Sequence, residues 1–127
     1  MMGAILQIKG LDQRLTTRFT NFCLGQLNIR PNIIEIEGQD FLQDGRTGMC
    51  LDMDIGHYLI LVKTGRRDIT DIYRTIAHEL VHVKQYMYDN LGHLLDQEKP
   101  PYDDRWWEKE AKFKSDEFIL RFVNSFS

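Results

Sequence analysis

His78 and His82 stand four residues apart, with Glu79 directly after the first, in the run His78-Glu79-Leu80-Val81-His82. Residues four apart on a helix share a face, so both imidazoles point the same way. Two neutral imidazoles at that spacing can hold one Zn2+, and the adjacent carboxylate can reach a water activated by the ion. The chemistry such a set serves is hydrolysis. With only 4 His among the 127 residues, an accidental HExxH is rare in this composition.

Two imidazoles do not complete a site, because a catalytic zinc takes three protein ligands and keeps one position open. Downstream candidates are His93, Asp96, Glu98, Asp103, Asp104, Glu108 and Glu110. Helical spacing separates the last two. Ala111, Ser115, Phe118 and Phe122 form one inward stripe, small then large, and Glu108 stands three residues before Ala111 on that face. Glu110 falls on a different face, over Phe113 and Lys114. An inward carboxylate needs a partner, because burying a bare charge is costly; Zn2+ would be that partner. Glu110 and His93 remain as alternatives. A metzincin spacing would need His at position 88, where this chain has Tyr88, and Gly at 85, where it has Gln85.

The elements that must position these residues are legible from periodicity. Ile69, Ile72, Ile76, Leu80 and Val83 recur at three and four, which predicts a helix. Asp68 is placed to cap it, with Asp71 in its first turn, and the pattern runs through Tyr86 and stops before Asn90-Leu91-Gly92. Residues 11–27 carry Leu11, Leu15, Phe19, Phe22, Cys23 and Leu27, a first helix that Asn28 to Asn32 breaks. Ile33 to Glu37 reads as a strand ended by Gly38, Thr47 to Met53 as a second, and Tyr58 to Val62, nearly all apolar, as a more central third. A polar loop with Pro100-Pro101 follows Gly92, and a last helix spans about 104–124. The expected fold is α+β in a single domain over 1–127: an N-terminal helix, a small three-stranded twisted sheet, the HExxH helix and a C-terminal glutamate helix.

Composition is that of a globular protein, 43% apolar and 28% charged. A net charge of −3 argues against a dedicated nucleic-acid binder, which carries a basic excess. Cys23 and Cys50 are too few and too far apart for a zinc knuckle; both read as small core residues, and nothing requires a bond between them. Met1 to Lys9 lacks a basic n-region and a long apolar h-region, so it does not read as a signal peptide, and no stretch approaches a membrane span. The expected setting is the cytoplasm, a host's cytoplasm if the gene is phage-borne, and the expected state a monomer.

The HExxH run, followed about 25 residues later by Trp107-Glu108-Lys109-Glu110-Ala111, resembles the gluzincins, zinc peptidases with HExxH on one helix and a Glu, often in an ExxA context, on the next. The small size is similar to that of the minigluzincins and of compact phage or bacterial metallopeptidase-like proteins. The resemblance covers roughly residues 30–124 and implies a minimal zincin-like domain. It implies peptide hydrolysis by zinc on His78, His82 and Glu108, with Glu79 as general base. It also implies a peptide or protein substrate held as an extra strand on a sheet edge, a role that Thr47 to Met53 fits, with Met49 and Leu51 as wall residues. The oxyanion donor is expected at Tyr86, one turn past His82, with Tyr102 and His93 as the other candidates. The chain departs from the pattern at Lys112, where many gluzincins carry an Asp that supports a zinc-bound His; another group must then do so. Two other readings compete: a zinc-binding interaction module without turnover, and an SprT-like nucleic-acid-associated protease.

Overall fold

Four strands, not three, form the sheet in this computed structural model, which describes residues 3–126. The chain runs β1 (Ile5–Lys9), α1 (Gln13–Leu27), β2 (Ile33–Gln39), β3 (Gly48–Asp52), β4 (His57–Lys63), α2 (Ile69–Tyr88), α3 (Leu91–Leu95) and α4 (Trp106–Asn124). The sheet order is β1-β2-β4-β3. β1, β2 and β4 are parallel, while β3 folds back antiparallel on β4 and forms an edge. The architecture is α+β with four helices and a mixed sheet. No helix among the described residues is long and apolar enough to cross a membrane.

The extra strand is β1. Ile5-Leu6-Gln7-Ile8-Lys9 alternates apolar and polar residues over too short a run to stand out, and it pairs with β2 from Ile5↔Ile33 to Lys9↔Glu37. Of the N-terminal residues read for a leader, Met1 and Met2 lie outside the described residues. The second departure is α3, a five-residue helix where a loop was expected. β2 also runs one residue past Gly38, to Gln39. The interior position expected of β4 and the edge position expected of β3 both hold.

The helices cover one face of the sheet. Ile34, Ile36, Ile60 and Val62 point into the core and are at most 1% exposed. The alternate residues Glu35, Glu37, Leu59 and Leu61 stay partly exposed on the other face, where His57 Nε2 meets Glu35 Oε2 at 2.6 Å. Period-two alternation in β2 and β4 thus separates a packed face from a bare one.

α2 starts where expected, with the Asp68 side chain accepting from the Asp71 amide at 2.9 Å. Of the stripe expected to face the core, Ile76, Leu80 and Val83 are fully buried and Ile72 partly so, but Ile69 in the first turn is 57% exposed; truncating Leu80 to Ala would cost about 2–5 kcal/mol. Arg67 fastens the helix start to β4, donating to the carbonyls of Lys63 and Asp71 and to Thr75 Oγ1. α4 lies against α2 through Ala111, Ser115, Phe118 and Phe122, all buried. Small residues near the site and aromatics beyond it set the approach, and Phe122 closes the far end against Phe19 at 4.9 Å.

The β3–β4 turn is backbone-strained. Asp54, Ile55 and Gly56 have φ of 88°, 52° and 71°. Ile55 is 82% exposed, and the left-handed region is costly for a β-branched residue. Asn32 holds the turn, donating from Nδ2 to the Ile55 carbonyl and from its amide to the Gly56 carbonyl.

Candidate metal centre

α2 and α4 bring three side chains to one point. His78 Nε2 lies 3.0 Å and His82 Nε2 3.1 Å from the same oxygen, Glu108 Oε1. The two rings are 4.9 Å apart and nearly perpendicular. His78, Glu79 and His82 each offer a ligand atom within 4.8 Å of the others. The i,i+4 spacing and the inward face of α4 are therefore realised as the sequence implied.

The orientation of His82 is fixed from behind. Gln85 is fully buried; its Nε2 donates to the Trp107 carbonyl and to Glu110 Oε1, both at 2.9 Å. That leaves Gln85 Oε1 facing His82 Nδ1 at 2.7 Å, so Nδ1 must be the donor and Nε2 is the nitrogen presented to the site. Glu110, the alternative ligand, is thus the anchor of this chain and also pairs with Lys84 and Lys114. Gln85 fills the supporting role that Lys112 cannot.

Charges follow the geometry. Burial works against ionising Glu108. The hydrogen bonds from His78, His82 and Tyr102 and the charge on His82 outweigh it and hold the carboxyl well below its ordinary range. Burial likewise disfavours charge on His82, but its hydrogen bond to Glu108, the nearby Glu79 and Glu108 carboxylates and the Gln85 bond raise its pKa. For Glu79 burial dominates and raises the pKa, against the opposing pull of His82 and His78.

Glu79 is set in place by the edge strand. A Cβ at Gly48 would meet Thr75 Cγ2 at 2.5 Å and Glu79 Oε2 at 2.9 Å. β3 can come this close to α2 only because position 48 has no side chain. Cys50 follows on the same face of β3; it is half-buried, and burial, with the nearby Glu79 and Asp52 charges, raises its thiol pKa. It is a wall residue of the site rather than a core residue like Cys23, and both are free thiols.

An open cleft of about 870 Å3 contains His78, Glu79, His82 and Glu108. β3 forms one bank, α4 and the segment before it the other. Tyr86 lines the cleft with its ring 5.9 Å from Tyr58, and burial pushes its phenol up to about 12. Tyr102 lies closer to the convergence point, donating its hydroxyl to Glu108 Oε1 at 3.0 Å. Met49 and Leu51 line the cleft as segments of β3, but their register opposite Leu61 and Leu59 puts their side chains on the bare face of the sheet. His93 sits on α3, exposed, against Gln97, and is not brought to the site. The residue that sequence reasoning missed is Gln85; its one sequence signal is its place three residues after His82.

The donor set fits a metal ion. Two imidazole nitrogens, one with its tautomer fixed, and one carboxylate oxygen converge, with a second carboxylate beside them. No protein-family model matches the chain, and neither curated proteins nor solved structures gave a significant match.

Proposed function

We propose that this protein is a zinc-dependent peptidase of minimal gluzincin type, with His78, His82 and Glu108 as ligands and Glu79 as general base. The observation that carries the reading is the convergence of two imidazole nitrogens on one buried carboxylate oxygen, with Glu79 beside them and an open cleft in front.

When bound, the ion supplies Lewis-acid polarisation of a carbonyl and acidifies water toward neutral pH. Glu79, raised in pKa by burial, accepts the proton of the attacking water and returns it to the leaving amine. The close approach of β3 at Gly48 sets that carboxylate against the edge strand. The free edge of β3 pairs with the substrate backbone as an added strand, which aligns the scissile bond with α2. Two hydroxyls can take the developing oxyanion, Tyr86 and Tyr102. The hydrogen bond of Tyr102 to Glu108 favours Tyr102 alongside the Tyr86 expected from the sequence.

The test is Glu79→Gln, assayed on an unfolded protein substrate and by metal analysis. The expected outcome is near-stoichiometric zinc in both proteins and hydrolysis in the parent only, abolished by chelator. Zinc binding without turnover in the parent would favour the non-catalytic zinc module. Full turnover in Glu79→Gln would remove Glu79 from the mechanism.

A further inference from the structure

The rim of the cleft has a charge opposite to that of the molecule. The chain carries −3 overall. Yet Arg46, Lys99, Arg105 and Lys112 all line the cleft, and among the described residues none of the four has a carboxylate within ion-pair distance. Lys99 and Arg105 make their side-chain hydrogen bonds to main-chain carbonyls. The remaining rim cation, Arg74, is taken by Asp71 and Asp116, both at 2.8 Å. Of the acids lining the cleft, Glu108 and Asp116 are paired, while Asp44 and the buried Glu79 have no ion-pair partner among the described residues. Unpaired cations gathered around a concavity focus a positive potential there.

The cleft is also polarised along its length. Arg46 leads into β3 beside Gly48, which packs on Thr75 and Glu79 near the N-terminal half of α2. Lys112 lies on α4 one turn past Glu108, between it and Asp116, which pairs with Arg74 in the first half of α2. At the other end the lining is Tyr86, Leu91 and Leu95. One end carries Arg46 and Lys112; the other carries the apolar Tyr86, Leu91 and Leu95 with Lys99 at its border, donating to the Leu95 carbonyl, and His78, Glu79 and His82 lie between them.

We propose that the cleft takes acidic peptide segments, with Asp or Glu at the Arg46–Lys112 end and an apolar residue at the Tyr86–Leu91–Leu95 end. This rests on the peptidase reading for the cut itself, but not for binding. A peptide fits better than a nucleic acid because the free edge of β3 offers main-chain pairing and because a net-negative chain repels an extended polyanion. Each exposed charge contact adds little singly; several around one cleft set preference rather than raw affinity.

The experiment uses pairs of short labelled peptides, identical except for Glu or Lys beside a central apolar residue. Binding to zinc-loaded Glu79→Gln is read by anisotropy, and kcat/KM is read on the parent protein. The acidic peptide should be favoured by about fivefold or more. Arg46→Glu with Lys112→Glu should abolish or invert the preference, and raising salt from about 0.05 M to about 0.5 M should shrink it. Equal binding and cleavage of both peptides would overturn the inference while leaving the peptidase reading intact. Acidic peptides bound selectively but never cut would uphold the inference and sink the peptidase reading. A single-stranded oligonucleotide that displaces the acidic peptide at physiological salt would overturn it in favour of a nucleic-acid site.

Discussion

Two histidine–carboxylate contacts lie on opposite faces of the sheet, and the shorter one is the less consequential. On the bare face, His57 and Glu35 meet at 2.6 Å, each side chain about 30% exposed. On the helix side, His78 and His82 meet Glu108 at 3.0 and 3.1 Å, with His82 and Glu108 only 10% and 15% exposed. The first is a cross-strand pair between neighbouring strands with one imidazole. The second joins residues 26 and 30 positions apart, has two imidazoles on one oxygen, and is backed by Gln85. Convergence with a fixed tautomer, not closeness, is what sets the second apart as a candidate metal site.

The comparison breaks most sharply at the carboxylates. Glu108→Ala should weaken zinc binding by more than about 100-fold, the upper end of what losing an outer partner costs, whereas Glu35→Ala should leave it unchanged. Titration calorimetry on both variants decides this, and equal losses would erase the distinction.

The backing residue comes next. Gln85→Leu leaves the Trp107 carbonyl and His82 Nδ1 without their side-chain partner and takes one donor from Glu110, which keeps Lys84 and Lys114, so zinc affinity should fall by about 10- to 100-fold. Thermal stability should drop as well, by about 1–3 kcal/mol for a buried group left unsatisfied. Glu110→Gln keeps an acceptor oxygen and should cost less on both counts. Glu110, an alternative ligand by sequence, is therefore a structural anchor of Gln85. If Gln85→Leu bound zinc as the parent does, the imidazole would be held by packing alone.

A smaller effect separates the metal-free and metal-bound proteins by pH. In the metal-free protein, the raised pKa of His82 contributes stability that is fully present below the ordinary value of 6.5 and lost as pH rises through the raised one. Depressed Glu108 contributes stability present above its ordinary 4.5 and lost as pH falls. Zinc needs neutral imidazoles, so the zinc-loaded protein should instead gain stability across the His82 window. Melting curves with zinc and with chelator should slope in opposite directions there; parallel slopes would mean that His82 is not a ligand.

Much of this was legible in the sequence because it is periodic. The α2 stripe, the Asp68 cap and the inward face of α4 repeat over many turns, so Glu108 separates from Glu110 by angle alone. β1 and α3 are five residues each, too short for a period to rise above local composition. Gln85 was illegible for another reason. A polar residue on a helix reads as solvated, and its burial depends on Trp107 and Glu110, more than 20 residues away. The basic rim is scattered over the segment before β3, the loop before α4 and α4 itself, and becomes a feature only when the fold gathers it.

The turn at Asp54–Ile55–Gly56 offers a way to make these experiments sturdier. Ile55 occupies a left-handed conformation that disfavours its branched side chain by roughly 1–2 kcal/mol, and its exposure means that little packing is lost on replacement. Asn tolerates that conformation, so Ile55→Asn should raise the melting temperature, by about 3 °C for each 1 kcal/mol recovered. The turn lies outside the cleft lining. A hardened hairpin tip would then serve as a common background in which crippled ligand and relay variants stay folded long enough for their metal binding to be measured.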